Sequence, residues 1–351
     1  MRVGVLSYPM LFQRHGGLQV QVTETVSALQ QLAGAALSVE LADPVRASLA
    51  GYDVLHVFSA INGNHRIIET ARELGVPAVL SPLLSPAWNG ASALRARIAT
   101  GVARHLTGGD VQTSFSQIEG ALRKADLLVA LGEPERAAMR SAFRIPDQRI
   151  RIVPNGIGAR FFSADGGLFR DRAGLHGDFA LMVGAVSPYK NQLGVAAVLA
   201  AMGLPFAVIG TAEQRDQGYL RQLQATSGVR YLGGLAHDDP LLASAYAAAS
   251  VFVLPSKGEV LPLTALEALA SGTPVMLTDQ SALDLADSGF AFRKVKWDDG
   301  AGQQAAIAAL VAGKPERKRV QDLVRHMTWP GVARELLAIY QQARAMHAAN
   351  G

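Results

Sequence analysis

Two glutamates stand eight positions apart in PSKGEVLPLTALEALASGTPV, residues 255 to 275, on either side of Pro262. VFVLP reads as a strand and LTALEALAS as a helix, so SKGEVLP is the loop at the strand's carboxyl end. Glu259 lies on that loop and Glu267 about one turn inside the helix. A helix start exposes unpaired N–H groups and partial positive charge, so the amides around Leu263 and Thr264 suit a diphosphate. One carboxylate can then accept hydrogen bonds from the hydroxyls of a group beyond the diphosphate, and the other from a nucleotide ribose. Those are the parts of a nucleotide-sugar. A glutamate near a helix start also stabilises the helix dipole by about 0.3–1 kcal/mol with no ligand present, so the pair is weighed with its neighbours.

Three other loops share this position after a strand. In PMLFQRHGGLQVQ, Gly16 and Gly17 precede a helix and leave an open turn that can receive an anion or a sugar. Lys190, in VGAVSPYKNQ, is a point charge able to neutralise phosphate. Gly210 and Thr211, after FAVIG, allow close approach of the backbone to a flat ring. Each turn type also occurs without a ligand; their common place at strand ends, where open α/β sheets bind ligands, makes them a set.

These loops need strands and helices to hold them. Strands are expected at RVGVLSY, DVLHVF, PAVLS, LLVAL and RIVP, then at FALMVG, FAVIG, VRYLGG, VFVLP and PVML, with helical stretches such as QVQVTETVSALQQLA and IIETARELG between. Such alternation implies an α/β chain of two parallel-sheet lobes. A length of 351 residues suits two domains. The glycine-rich segment 156–178 contains their join, which gives domains at 1–160 and 161–328 and a closing helix at 329–351.

With 49% hydrophobic and 18% charged residues, the composition is that of a globular protein. The chain has no cysteine, which removes disulfide and thiolate chemistry and fits a reducing compartment. MRVGVLSYPM turns polar too early for a secretory leader, so the expected location is cytoplasmic. The apolar stretch 193–210 is long enough for a membrane span, but Gly203 and Pro205 divide it into a helix and a strand. Residues 1–160 hold sixteen Lys and Arg against twelve acids, whereas the remainder holds seventeen of each. The excess favours anionic partners for the first lobe. Residues 91–108, ASALRARIATGVARHLTG, can form a basic amphipathic helix suited to peripheral contact with anionic membrane at its inner face, or an ordinary surface helix. No basic run is interleaved with aromatics, which excludes a nucleic-acid footprint of the usual kind.

The motif order resembles the retaining glycosyltransferases of family four, the group 1 glycosyltransferases, along nearly the whole chain. The markers are GGLQVQVTETVSAL, ADLLVALGEPERAAM, RIRIVPNGI, VGAVSPYKNQ, VIGTAEQ, YLGGL, LASAYAAASVFVLPS, the paired glutamates and TWPGVARELLAIY. The resemblance implies a GT-B architecture: two Rossmann-like domains facing a cleft, with the C-terminal helix crossing back to the first. It implies a hexose moved with retention from a UDP- or GDP-sugar to a glycan or lipid-linked acceptor, in bacterial polysaccharide or lipopolysaccharide synthesis, with no cofactor and no metal. Carried over by position, Glu259 contacts hydroxyls of the transferred sugar, Glu267 the ribose and Lys190 the diphosphate. Gly17 approaches the donor from the other domain, and backbone groups at Val260 and Leu261 meet it.

Three positions depart from that pattern. Ala185 stands where relatives carry an arginine that partners the lysine; SPLLSPAWNG lacks the histidine they carry after the PAVLS strand; and Val260 replaces a common glycine. His15 lies in a different loop and does not inherit that histidine's role. These departures keep open a nucleotide-sugar-binding protein of weak turnover that partners an active transferase. A sugar-nucleotide epimerase of the same architecture would betray itself by releasing epimerised donor.

Overall fold

The computed structural model describes residues 1–13, 16–32, 34, 37–46, 48–107 and 112–350. It divides into two units: Met1–Gly156 with Trp329–Gly351, and Ile157–Thr328.

The first unit is built on a six-stranded parallel sheet of β1 (Arg2–Leu6), β2 (Ser38–Leu41), β3 (Val54–Phe58), β4 (Ala78–Ser81), β5 (Leu127–Ala130) and β6 (Ile150–Ile152). Their order is β2-β1-β3-β4-β5-β6. The central strands are buried along their whole length, which explains the continuous apolar runs of VLHVF, AVLS and LLVA. Its helices are α1 (Gly17–Leu32), α2 (Asn64–Glu73), α3 (Gly90–Leu106), α4 (Ser114–Lys124) and α5 (Glu133–Phe143). The C-terminal helix, Trp329–Asn350, packs here too. Trp329, Val332, Ala333, Leu336, Ile339, Tyr340 and Ala343 are buried at helical spacing, a stripe matched to the inner face of one helix.

The second unit holds β7 (Ala180–Val183), β8 (Phe206–Ile209), β9 (Val229–Tyr231), β10 (Val251–Leu254), β11 (Val275–Thr278) and β12 (Phe292–Val295), again all parallel. Their order is β12-β11-β10-β7-β8-β9. The chain runs outward through β7, β8 and β9, then returns to lay β10 beside β7, so the connection reverses direction between those two strands. The helices are α6 (Ala159–Phe162), α7 (Gly167–Ala173), α8 (Gln192–Ala201), α9 (Gln217–Ala225), α10 (Pro240–Ala248), α11 (Leu263–Ala270), α12 (Gly300–Gly313) and α13 (Arg317–Asp322).

All ten expected strands are present, and two more were not anticipated. These are β2 and β12, each at a sheet edge, where exposure of alternate or successive side chains lets SVEL and FRKV carry polar residues. The expected irregular join also contains α6 and α7, both too short for periodicity to declare them. The apolar stretch 193–210 is divided as expected, into α8 and β8. Among the described residues no helix is long and apolar enough to cross a membrane.

Candidate functional site

In an open parallel sheet the place where strand order reverses leaves a crevice at the carboxyl ends, because the two neighbouring crossovers depart to opposite faces. In the second unit that place lies between β7 and β10. Lys190 follows β7 and Glu259 follows β10, and the Lys190 ammonium meets the Glu259 carboxylate at 2.5 Å. Both are partly buried. The pair unites two of the residues singled out in the sequence, 69 positions apart. An ammonium has three N–H donors and this contact uses one, so Lys190 can keep Glu259 and still bind a phosphate.

The backbone pins this loop. Glu259 N–H donates to the Gln280 carbonyl at 2.8 Å, and the Val260 carbonyl accepts from Ala282 N–H at 2.7 Å and the Ser281 hydroxyl at 3.1 Å. Tyr189, adjacent to Lys190, donates its hydroxyl to the Gly258 carbonyl at 2.9 Å, and Lys257 N–H returns a bond to the Tyr189 carbonyl at 3.0 Å. The loops after β7, β10 and β11 are thus tied into one rim. Leu261 is buried beneath it. Helix α11 begins after Pro262, which offers no side-chain cap, so its first amides, at Leu263 and Thr264, are left for a ligand or water.

Glu267 is buried on α11 and both its oxygens are engaged: Oε1 with His237 Nε2 at 2.7 Å, Oε2 with the Tyr246 hydroxyl at 2.9 Å. Burial first, and the neighbouring Glu267 charge second, raise Tyr246 well above the usual phenol range, so it remains a donor. Arg160 donates to the His237 carbonyl at 3.0 Å. A carboxylate offers about four lone-pair sites, which leaves Glu267 capacity for a further hydroxyl. His237, Tyr246 and Arg160 were not singled out in the sequence. A signal for His237 was present: HDDP is a cap-then-proline helix start, and Asp239 does cap α10 through Leu241 N–H at 2.8 Å. That places His237 on the loop after β9, at the same sheet edge.

Gly210 has a cause inside the fold. Its φ is +155°, and a Cβ there would stand 1.8 Å from the Gly184 carbonyl oxygen of the adjacent loop. The expected close approach at this turn is therefore made by Gly184, whatever a ligand does. Thr211 is exposed beyond it, and its carbonyl accepts from Val186 N–H at 2.9 Å. Ala185 is exposed and supplies no charge; its carbonyl accepts from Gln192 Nε2 at 2.8 Å. Another cation is near in sequence, Lys257, held 4.9 Å over the Trp297 ring.

Gly16 and Gly17 lie in the first unit, where α1 starts. A Cβ at either would meet nothing within 4 Å, and neither has a positive φ. Neither packing nor backbone geometry requires glycine there. His15 lies outside the described residues.

Residues 179–309 match the family model for glycosyl transferases group 1. D-inositol 3-phosphate glycosyltransferase of Nocardiopsis dassonvillei is 27% identical over 324 residues, which cover 85% of this chain and 72% of that one. Residues 179–309 are thus a group 1 glycosyltransferase domain, and most of the chain is similar to such enzymes. Mannosylfructose-phosphate synthase of Agrobacterium fabrum is 27% identical over 245 residues, and the match covers 62% of this glycosyltransferase and 53% of that protein, so it spans about half of that relative. The fold is GT-B: the structure of Anabaena Alr3699/HepE in complex with UDP aligns with a TM-score of 0.71 at 15% identity, over 97% of this chain and 100% of that one. This domain brings glycosyl transfer from a sugar-nucleotide donor.

Proposed function

We propose that this glycosyltransferase moves a hexose from a UDP- or GDP-sugar, with retention and without a divalent metal, to a hydroxyl of a glycan or lipid-linked acceptor, on the cytoplasmic side of a membrane in polysaccharide or lipopolysaccharide synthesis. The observation that carries the donor half is the Lys190–Glu259 pair at the strand reversal, beside the uncapped start of α11. UDP in Alr3699/HepE supports a uridine donor.

The demanding step is rupture of the bond between the anomeric carbon and the diphosphate, where negative charge gathers on the leaving oxygen. On this reading Lys190 and the amides of Leu263 and Thr264 take that charge. The acceptor oxygen bonds to the anomeric carbon from the face the diphosphate leaves, and the hydroxyl proton goes to the departing diphosphate. Glu259 accepts hydrogen bonds from the sugar and orients it, while Glu267 takes the ribose with His237 and Tyr246 holding its carboxylate in place. The open turn at Gly16 and Gly17 leaves room for a substrate group.

One observation favours a second reading, a nucleotide-sugar binder with little turnover. Ala185 leaves Lys190 as the cation at this turn, and Lys190 is already paired with Glu259. Incubating the protein with UDP-, GDP- and dTDP-sugars, with and without EDTA, and measuring released nucleotide separates the readings. Slow hydrolysis of one donor, unaffected by EDTA and reduced about 100-fold or more in Lys190→Ala and Glu259→Ala, is expected. Turnover retained in both variants would refute the site assignment. Affinity for one nucleotide with no turnover, even with added glycan acceptors, would favour the binder.

A further inference from the structure

Glu267 sits at the centre of a larger arrangement than a ribose contact by itself requires. Each of its oxygens already accepts from one neighbour, His237 at 2.7 Å and Tyr246 at 2.9 Å. Behind both neighbours stand two consecutive residues of α6, Arg160 and Phe161. Arg160 Nη2 lies 2.9 Å from His237 Nδ1, 3.2 Å from its Nε2 and 3.0 Å from its carbonyl oxygen. The Phe161 ring is fully buried, with its centre 5.8 Å from that of the His237 ring and edge-on to Tyr246 at 5.7 Å. The guanidinium covers this phenyl ring at 4.7 Å. Arg160 Nε is buried with no partner among the described residues, a cost to stability that packing alone gives no reason to accept. What the position of Arg160 does achieve is to confine the His237 ring between the guanidinium and Glu267, and so to fix the carboxylate.

A carboxylate has about four lone-pair sites, so with one taken on each oxygen Glu267 keeps an open site on each. Two such sites on an immobile carboxylate match the two vicinal hydroxyls of a ribose. A 2′-deoxyribose fills one of them and leaves the other unpaired in a buried place. A glutamate free to turn would distinguish the two sugars poorly, because it could follow a single hydroxyl and would have to be ordered anew by either ligand. We propose that Arg160 and His237 are positioning residues that act through Glu267, and that their clamp makes the site select ribonucleoside over 2′-deoxyribonucleoside diphosphates. This rests on the reading of Glu267 as the ribose contact, and adds what holds that carboxylate and which donors it rejects. Phe161 completes the clamp by backing His237 and Tyr246 together, so both donors to Glu267 share one rigid support.

The test is calorimetric titration of UDP, dUDP, GDP and dGDP into wild type, Arg160→Met and His237→Ala, with thermal melts to follow the fold. Wild type should bind one ribonucleotide about 10-fold or more tighter than its deoxy counterpart, the worth of one hydrogen bond to a buried charge. In both variants that ratio should fall to about 3-fold or less, through weaker ribonucleotide binding, while affinity for the deoxy form stays within about 3-fold of wild type. Should Arg160→Met fail to fold, His237→Ala, altered at a partly exposed loop residue, carries the comparison. A ribonucleotide bound no better than its deoxy form by wild type, or a ratio unchanged in the variants, overturns the proposal while leaving the donor site in place. Equal loss of both affinities in a folded variant also overturns it, since mere structural support would act on the two nucleotides alike. Absence of any affinity of wild type for UDP and GDP would sink the donor reading itself, and the proposal with it.

Discussion

Acidification should weaken the first unit through a single histidine. His56 sits in the middle of β3, fully buried, with Nδ1 2.7 Å from the Tyr340 hydroxyl and Nε2 2.9 Å from the Ser81 hydroxyl. A neutral imidazole has one donor and one acceptor, and both hydroxyls rotate to suit, so either tautomer is satisfied. The ring thereby ties the C-terminal helix to the sheet. Burial drives its pKa from 6.5 down to about 3, because an imidazolium there would be cut off from water with no counter-charge against it. A depressed pKa means that the unfolded chain takes up the proton first. The stabilising contribution is complete above pH 6.5 and is lost as pH falls toward 3. At pH 5.0 the loss is about 2 kcal/mol, from 1.5 pH units at about 1.36 kcal/mol each. That is a large part of a typical stability of about 5–15 kcal/mol.

The experiment is urea unfolding at pH 7.5, 6.0 and 5.0 for wild type and His56→Gln, followed by circular dichroism and tryptophan fluorescence. Glutamine can bond both hydroxyls but does not titrate, so the variant lacks this one source of acid sensitivity while every other group responds as before. At pH 7.5 the variant should be less stable, from poorer packing. By pH 5.0 the gap should close by about 2 kcal/mol. A gap constant across the range would mean that the imidazole does not stay neutral in the folded chain, and would refute the reasoning.

Two more tests address groups of opposite sign and of pure shape. Glu135, buried at the start of α5, accepts from Leu84 N–H at 2.6 Å and Leu131 N–H at 2.7 Å, and desolvation raises its pKa from 4.5 to about 7 against those two bonds. Its contribution is full below pH 4.5 and lost as pH rises through 7, so Glu135→Gln, which sets an NH₂ against one of two N–H donors, should cost about 1–3 kcal/mol at pH 5 and visibly less at pH 8. A gap that widens with pH would contradict this. Gly210→Ala forces a Cβ within 1.8 Å of the Gly184 carbonyl at a φ of +155°; loss of soluble expression, or a melting temperature lower by about 10 °C or more, is expected, and a wild-type melt would refute the packing account.

What could be read without coordinates follows from where each residue's burial is decided. The central strands hide both faces, so their apolar runs mark them locally; β2 and β12 hide less and blend with loops. His56, though inside an apolar run, gives no hint of Tyr340, which lies 284 residues away. The amphipathic character of α3 was legible, but the direction of its apolar stripe was not. Alanines and Arg97 proved to be the packed side, and only the fit of neighbouring helices could say so.

Lys190 and Glu259 show the same division at the site. That each follows a strand is local information, carried by VGAVSPYKNQ and VFVLPSKGE. That they meet depends on β10 returning to β7 rather than extending the sheet beyond β9, a choice made by the whole unit. The order of strands therefore turns two unremarkable charged turns into one ion pair beside an uncapped helix. On the proposed reading, a diphosphate, which suits a cation together with fixed amides, is seated at this reversal.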